Sequence, residues 1–169
     1  EYQAELEKLS ENKTTRLKAL FPDMDGRTIY VKSKQEQTIC LILSSLGVKY
    51  RYEESYEHVM ADELHSQYKP DFSIYFNKNG LRARIYLEHF GIDDRGRVPH
   101  WFAKHRNISY QDANKKYNDG ISWKREIHSF YGTTLLETTS ADFKHYSIRD
   151  KIKSMLGECG VPIREIPED

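Results

Sequence analysis

Two carboxylates in apolar surroundings are the first feature of this sequence that points to chemistry. Asp71 follows Pro70 at the start of a short apolar segment, and Glu88 lies within another, residues 85–90. A charge among apolar side chains is unfavourable unless a partner compensates for it. Two carboxylates at the same end of adjacent strands would form half of a site for a divalent cation, Mg²⁺ or Mn²⁺.

Glu36 and Lys124 are the residues that would complete such a site. Glu36 belongs to the element before the two strands, and Lys124 lies on the helix after them. The chemistry that would use this set is phosphodiester hydrolysis, in which a metal ion held by Asp71 and Glu88 polarises the phosphate and lowers the pKa of a bound water. A lysine near that water would orient it and offset the charge of the transition state. Glu36 would hold a second ion or an outer water.

Each of these residues also has a structural interpretation. The sequence Ser33-Lys-Gln-Glu36 matches a capping box, in which the glutamate only satisfies an amide at a helix start. Asp71 after a proline is also typical of a strand entry, and a helical lysine such as Lys124 is usually solvated. Glu88, inside an apolar run, is the hardest of the four to explain structurally.

Composition predicts one domain and gives no direct argument for a partner. The 169 residues suffice for one well-buried domain. The 26 basic and 26 acidic side chains balance, so DNA binding would depend on local clusters of charge. Cys40 and Cys159 have neither metal-ligand nor disulfide spacing, which favours a reducing, cytoplasmic setting. No apolar segment has the length of a membrane span, so we expect no membrane partner.

Apolar periodicity and turn signals predict an α/β fold with a mixed central sheet flanked by helices. Asn77-Lys-Asn-Gly80 is a hairpin signal, so the Asp71 and Glu88 strands should be antiparallel neighbours. The predicted elements, in order, are a polar helix over 2–20, a helix over 33–47, strands over 48–56, 69–76 and 84–91, a helix over 110–131, a strand over 133–140 and a helix over 148–156.

The chain divides into a core and two extensions. Residues 1–29 are expected to form a helical connector or arm, 30–145 the core, and 146–169 a C-terminal helix and tail. The chain lacks an initial methionine, so we expect it to be part of a larger protein.

The helix over 110–131 carries the residues predicted to face a substrate. At 3.6 residues per turn, Tyr117, Ile121, Lys124 and His128 share one face, which would line a groove beside the strands. That face is offset from the predicted core stripe, which consists of Trp123, Ile127 and Phe130. The expected DNA contacts are His89, Tyr117, Arg125 and His128. Further local basic charge would come from Lys104, Arg106, Lys115 and Lys116.

The pattern of Glu36, Pro70-Asp71 and Glu88 in an αβββαβ order resembles the PD-(D/E)XK nuclease superfamily, over roughly residues 33–140. Four blocks are similar to a nuclease-type domain found within superfamily 1 DNA helicases of the UvrD and helicase IV type. These blocks are Lys69-Pro-Asp-Phe72, Tyr86-Leu-Glu-His-Phe-Gly-Ile92, Trp123-Lys-Arg-Glu-Ile-His128 and Gly132-Thr-Thr-Leu-Leu-Glu-Thr138.

The resemblance implies a restriction-endonuclease-like fold and metal-dependent DNA cleavage, with helicase motor domains as partners. It also implies the backbone carbonyl of His89 as an extra metal ligand. The superfamily pattern has a lysine two residues after the glutamate, where this chain has Phe90. Some members place that lysine on the following helix, and Lys124 is the candidate here. Glu137 would be a structural partner of Lys124 or Arg125.

Two other functions remain open. The chain could be a catalytically silent DNA-binding or interaction module that retains the fold, which Phe90 favours. It could also be a structural domain that packs against helicase motor domains, with its two ends as connectors. No GxxxxGK[ST] phosphate loop is present, so ATP hydrolysis by this chain is not expected.

Overall fold

A four-stranded sheet forms the centre of the protein. The structure, a computed structural model, describes residues 16–61, 66–145 and 147–166. Within them the domain is mixed α/β. The strands are β1 (Leu17–Lys18), β2 (Tyr30–Val31), β3 (Lys49–Tyr52), β4 (Phe72–Lys78), β5 (Leu81–Phe90) and β6 (Leu135–Thr139). The helices are α1 (Lys34–Ser45), α2 (His100–Arg106), α3 (Tyr110–Tyr131), α4 (Ser140–His145) and α5 (Ile148–Glu158).

The sheet has the order β3-β4-β5-β6 and is mixed, as predicted. β3, β4 and β5 are antiparallel neighbours, whereas β5 and β6 are parallel. The predicted hairpin between β4 and β5 is confirmed, and its turn residues Asn79 and Gly80 both have positive φ, as a type I′ turn requires. A parallel pair needs a crossover connection, and α2 and α3 supply it between β5 and β6.

Helices cover both faces of the sheet. Alternate side chains of β4 and β5, including Ile74 and Leu87, join α1 and α5 in the larger core cluster. Tyr86 points to the opposite face and packs with Ile127 of α3. Because strand side chains alternate between faces, Glu88 lies on the Tyr86 side, toward α3, and His89 lies on the side of α1.

The two predicted helices that flank the strands are confirmed, and their caps explain their bounds. The Ser33 hydroxyl accepts a hydrogen bond from the amide of Glu36 at the start of α1. The Ser109 hydroxyl accepts one from the amide of Asp112 at the start of α3. Gly132 ends α3 in the left-handed conformation that favours glycine.

The predicted core stripe of α3 was wrong at Phe130, whose side chain is 82% exposed. The buried face contains Ile121 and His128 instead, together with Ala113 and Ile127. Phe130 lies roughly 120° around the helix from Lys124 at 3.6 residues per turn. The face predicted to line a groove is therefore the face that packs on the sheet.

The predicted polar helix over 2–20 falls largely outside the described residues, and its end was wrong. Residues 17 and 18 form β1, which pairs antiparallel with β2. Ala19 and Ile29 lie in the larger core cluster, so this part of the expected 1–29 arm packs on the domain. The C-terminal helix is confirmed as α5 and buries Ile152 and Leu156.

Among the described helices, none combines the length and the apolar character needed to cross a membrane.

Gly47 should be essential for the packing of the C-terminal segment on α1. Its φ is +68°, and a Cβ added there would lie 2.6 Å from the carbonyl oxygen of Arg164. Gly26 has a similar φ of +77°, and a Cβ added there would meet nothing within 4 Å. We predict that Gly47→Ala lowers the free energy of unfolding by about 2–3 kcal/mol and Gly26→Ala by about 1 kcal/mol, as measured by urea denaturation. Equal losses of stability in the two variants would show that the Arg164 carbonyl oxygen does not clash with a Cβ at position 47.

Candidate active site

Glu88 is the centre of the candidate site. It lies near the end of the interior strand β5, and its exposure is 0%. Its Oε1 accepts a hydrogen bond from the amide of Asp71 at 2.9 Å. Its Oε2 accepts one from the Tyr68 hydroxyl at 2.8 Å and forms an ion pair with Lys124 Nζ at 3.0 Å. These partners come from two other segments, so the fold itself compensates the buried charge.

Asp71 is tied to the same strand by a reciprocal hydrogen bond. Its Oδ2 accepts from the amide of His89 at 2.8 Å, while the Asp71 amide donates to Glu88. This exchange fixes both carboxylates at the edge where β4 begins and β5 ends. Asp71 Oδ1 faces the ammonium of Lys32 at 3.5 Å.

Glu36 joins the cluster from α1. Its Oε1 accepts from the Tyr52 hydroxyl at 2.5 Å and from the Lys32 amide at 3.1 Å. A complete capping box would instead direct the Glu36 carboxylate to the amide of Ser33. The side chain therefore supports the helix start and also lies in the acidic cluster, where its Oε2 is 4.0 Å from Lys32 Nζ.

Lys124 reaches the site from α3. Its side chain is 32% exposed, so the ammonium contacts both Glu88 and solvent. The same ammonium lies 5.5 Å from the ring centroid of Phe90 and 5.9 Å from that of Tyr68. The lysine thus lies beside both Glu88 and Phe90.

Burial and mutual repulsion dominate the electrostatics of the cluster. Burial, with the charge of Asp71, raises the pKa of Glu88 to about 7. Burial raises the pKa of Glu36 to about 7, and the charge of Asp71 adds to this although Lys32 opposes it. Burial also acts to raise the pKa of Asp71, but the charges of Lys32 and Lys124 lower it overall. The carboxylates around Lys32 outweigh its burial and raise its pKa.

The two predicted DNA-contacting histidines lie inside the protein. The ring of His89 contacts Thr138 Oγ1 at 2.9 Å and Gln35 Oε1 at 2.7 Å. The ring of His128 contacts the Tyr68 hydroxyl at 3.1 Å and Thr133 Oγ1 at 2.7 Å. The exposure of His128 is only 2%, which leaves no surface for DNA. Burial lowers the pKa of both histidines to about 4, so both rings are neutral.

Of the other two predicted DNA contacts, Tyr117 lies beside the cluster and Arg125 faces away from it. The Tyr117 hydroxyl accepts a hydrogen bond from the Gly91 amide at 2.7 Å, directly after β5. Arg125 lies on the outer side of α3 and forms two hydrogen bonds with Glu137, at 2.8 and 2.7 Å. The structure thus pairs Glu137 with Arg125, one of the two partners expected for it.

Three residues of the cluster were not identified from the sequence. Tyr68 and Tyr52 donate hydroxyl hydrogen bonds to Glu88 and Glu36, and Lys32 contacts Glu36 and Asp71 within the cluster. Lys32 precedes the N-cap Ser33, so the i,i+4 pairing rule for helices does not apply to its spacing from Glu36. Tyr68 directly precedes the Lys69-Pro-Asp block, but nothing in the pattern distinguishes it from the other tyrosines.

Carboxylates such as those of the cluster are the kind of ligand that a magnesium-type ion takes. In the described ranges no three His, Cys, Asp or Glu side chains are arranged as a metal site. Mg²⁺, however, is usually bound by one or two carboxylates and completed by water and phosphate oxygens. Asp71 and Glu88 provide that number, and a third buried carboxylate, Glu36, adds negative charge beside them.

Comparison of the chain with protein-family models, with curated proteins and with solved structures found no match.

The raised pKa of Glu88 predicts a specific pH dependence of stability. An ordinary glutamate ionises near 4.5 when unfolded, whereas folded Glu88 keeps its proton to about 7. Between these values the unfolded state binds fewer protons, so Glu88 lowers the free energy of unfolding as pH rises. His89 and His128 act with the opposite sign because folding lowers their pKa values.

The contribution of Glu88 is therefore seen only by comparison with a variant. We predict that the stability of the metal-free wild type, minus that of Glu88→Gln, falls by on the order of 2 kcal/mol from pH 5 to 7.5. Urea unfolding at several pH values measures this difference. The control is Glu126→Gln, the same change at an exposed position on α3. A flat difference for Glu88→Gln would contradict the raised pKa.

Proposed function

We propose that this chain is a Mg²⁺- or Mn²⁺-dependent DNA nuclease domain. One observation carries the proposal: carboxylates from three separate elements, Glu36, Asp71 and Glu88, are buried in one cluster, with Lys124 3.0 Å from Glu88. Burying like charges together is costly in a protein that needs them only for folding. A divalent cation would relieve that repulsion.

The order of elements supports the same function. Apart from the short helix α2 inserted between β5 and α3, the elements α1, β3, β4, β5, α3 and β6 follow the αβββαβ order of a restriction-endonuclease-like core. The four similar sequence blocks support a further proposal, that the domain acts together with helicase motor domains. Cys40 and Cys159 are both free thiols, which supports the cytoplasmic setting that such a protein would occupy.

In this proposal Asp71 and Glu88 hold the metal ion, with the backbone carbonyl of His89 as a further ligand. When bound, the ion would polarise the scissile phosphate and activate a water. The hydrogen bonds of Tyr68 and of the Asp71 amide hold the Glu88 carboxylate in one orientation. Such support keeps ligands in place without rearrangement during the reaction.

Lys124 would take the role of the lysine that is missing at position 90. Its ammonium lies next to the Phe90 ring and remains partly exposed, so a water or phosphate oxygen can approach it. There it would orient the attacking water and offset the negative charge of the transition state.

A silent DNA-binding or interaction module is the second candidate, and Lys32 favours it. The Lys32 ammonium lies 3.5 Å from Asp71 Oδ1 and 4.0 Å from Glu36 Oε2. It already supplies positive charge where the metal ion would bind. A protein that had lost metal binding could keep its acidic cluster stable in this way.

Metal binding separates the two candidates. A ligand at about 100 times its Kd stabilises the folded state by about 3 kcal/mol. We predict that Mn²⁺ raises the Tm of the wild type but not that of Asp71→Asn, as measured by thermal unfolding. The matched control is Asp119→Asn, which removes a carboxylate from an exposed pair with Lys115 and should respond as the wild type does.

Cleavage tests the reaction itself. Single- and double-stranded DNA are incubated with Mn²⁺ and either the wild type or Glu88→Gln, which keeps the size of the side chain. We expect products with the wild type alone. Equal cleavage by both proteins would disprove the site, while an unchanged Tm in Mn²⁺ without cleavage would favour the silent module.

Lys124 should affect the reaction rate and not metal binding. We predict that Lys124→Met slows cleavage by about 10²-fold, the loss typical of one stabilising donor. Its Tm should still rise with Mn²⁺, because Asp71 and Glu88 remain. Lys115→Met, an exposed lysine on the same helix, is the control. An unchanged rate in Lys124→Met would show that another group replaces the missing lysine.

A further inference from the structure

A depression beside the candidate site has an apolar floor and a cationic rim. It has a volume of about 240 Å³ and lies between α2 and α3. Its floor includes the buried side chains of Phe90, Phe102 and Ile121. Its lining also contains Arg106, Lys116 and Lys124, and no carboxylate.

Lys124 joins this depression to the candidate active site. Its ammonium contacts Glu88 at 3.0 Å, and its side chain also lines the depression. Phe90, which forms part of the floor, follows the Glu88-His89 pair directly along β5. A ligand in the depression would therefore lie one side chain away from the buried carboxylates.

Gly120 provides a second, independent observation. It lies in the middle of α3, where glycine costs about 1 kcal/mol relative to alanine. A Cβ added at Gly120 would meet nothing within 4 Å. The packing of the protein therefore does not require a glycine here. Because Gly120 has no side chain, the surface of α3 is recessed where it borders the depression, and a flat group can approach.

We propose that this depression binds one unpaired nucleotide of the DNA strand that the candidate site would cut. The base lies against Phe90 and Ile121 and beside the Arg106 guanidinium, which covers the Phe102 ring at 3.6 Å, and its phosphate faces Lys116 and Lys124. An apolar surface with aromatic side chains stacks bases without sequence preference, and lysine and arginine neutralise the strand. A base paired in a duplex cannot enter a depression between two helices, so the site takes single-stranded DNA. This inference rests on the proposed function for the substrate, but its binding step needs no cleavage.

The variant Gly120→Leu places a side chain at the border of the depression, where an added Cβ meets nothing within 4 Å. Because leucine favours helices over glycine and has open space at this position, the Tm should stay equal or rise. Gly157→Leu is the matched control, since Gly157 is also helical, lies in α5 and has nothing within 4 Å of an added Cβ. The two variants thus make the same change inside and outside the proposed site.

Affinity is measured by fluorescence anisotropy with a labelled oligothymidine strand and with a blunt duplex of equal length, both in Ca²⁺. We expect Gly120→Leu to weaken binding of the strand by about tenfold or more, as for loss of one stacked base, with duplex binding unchanged. Gly157→Leu should bind both probes as the wild type does. Wild-type affinity of Gly120→Leu for the strand, or an equal loss for both probes, would overturn the proposal.

The result is independent of the nuclease test. If no Mn²⁺-dependent cleavage is seen but Gly120→Leu weakens binding of the single strand alone, the nucleotide site is supported and the catalytic function is disproved. If cleavage occurs and Gly120→Leu binds the strand normally, only the nucleotide site is overturned.

Discussion

The burial of Glu88 in the interior strand β5 is the constraint on which the surrounding structure depends. A carboxylate with no exposed surface needs hydrogen-bond donors or cations on every side. The chain supplies them from the segment before β4 and from α3, through Tyr68, the Asp71 amide and Lys124. A second layer continues from Tyr68 to His128 and on to Thr133. The contact between α3 and the sheet is therefore partly polar, and it has one favourable register.

This polar contact explains which parts of the fold could be predicted. The bounds of α3 follow from local signals, the Ser109 cap and Gly132, and these were predictable. The buried face of α3 was not, because hydrophobic periodicity places the apolar stripe at Phe130. The face that meets the sheet carries Lys124 and His128. Lys124 pairs with Glu88 on β5, and His128 contacts Tyr68 in the segment before β4. Periodicity measures apolar burial alone, so it misassigns a helix that buries polar groups against a site.

Asp71 and Glu88 could be identified from the sequence, whereas Tyr68, Tyr52 and Lys32 could not. Asp71 and Glu88 stand out because they interrupt apolar runs, and that contrast is local in sequence. Tyr68 and Lys32 lie in polar stretches, where nothing marks them. Their importance arises from tertiary contacts, such as the 3.5 Å approach of Lys32 Nζ to Asp71. Propensity and periodicity contain no information about such contacts, so the second half of the cluster required the structure.

The net charge of the cluster is zero in two different states. Three carboxylates, Glu36, Asp71 and Glu88, face the ammonium groups of Lys32 and Lys124. With one carboxyl group protonated, as the raised pKa values of Glu36 and Glu88 near 7 favour, the cluster is neutral without a metal.

In the proposed nuclease, the cluster is again neutral when all three carboxylates are ionised, Lys124 remains and a divalent cation replaces Lys32. The side chain of Lys32 is 28% exposed, and its ammonium also lies 3.5 Å from Glu53 Oε2 at the edge of the cluster. It therefore has a place to move when a cation binds. The nuclease and the silent module differ in which of these two neutral states the protein adopts, because the metal ion and the Lys32 ammonium compete for the carboxylate of Asp71.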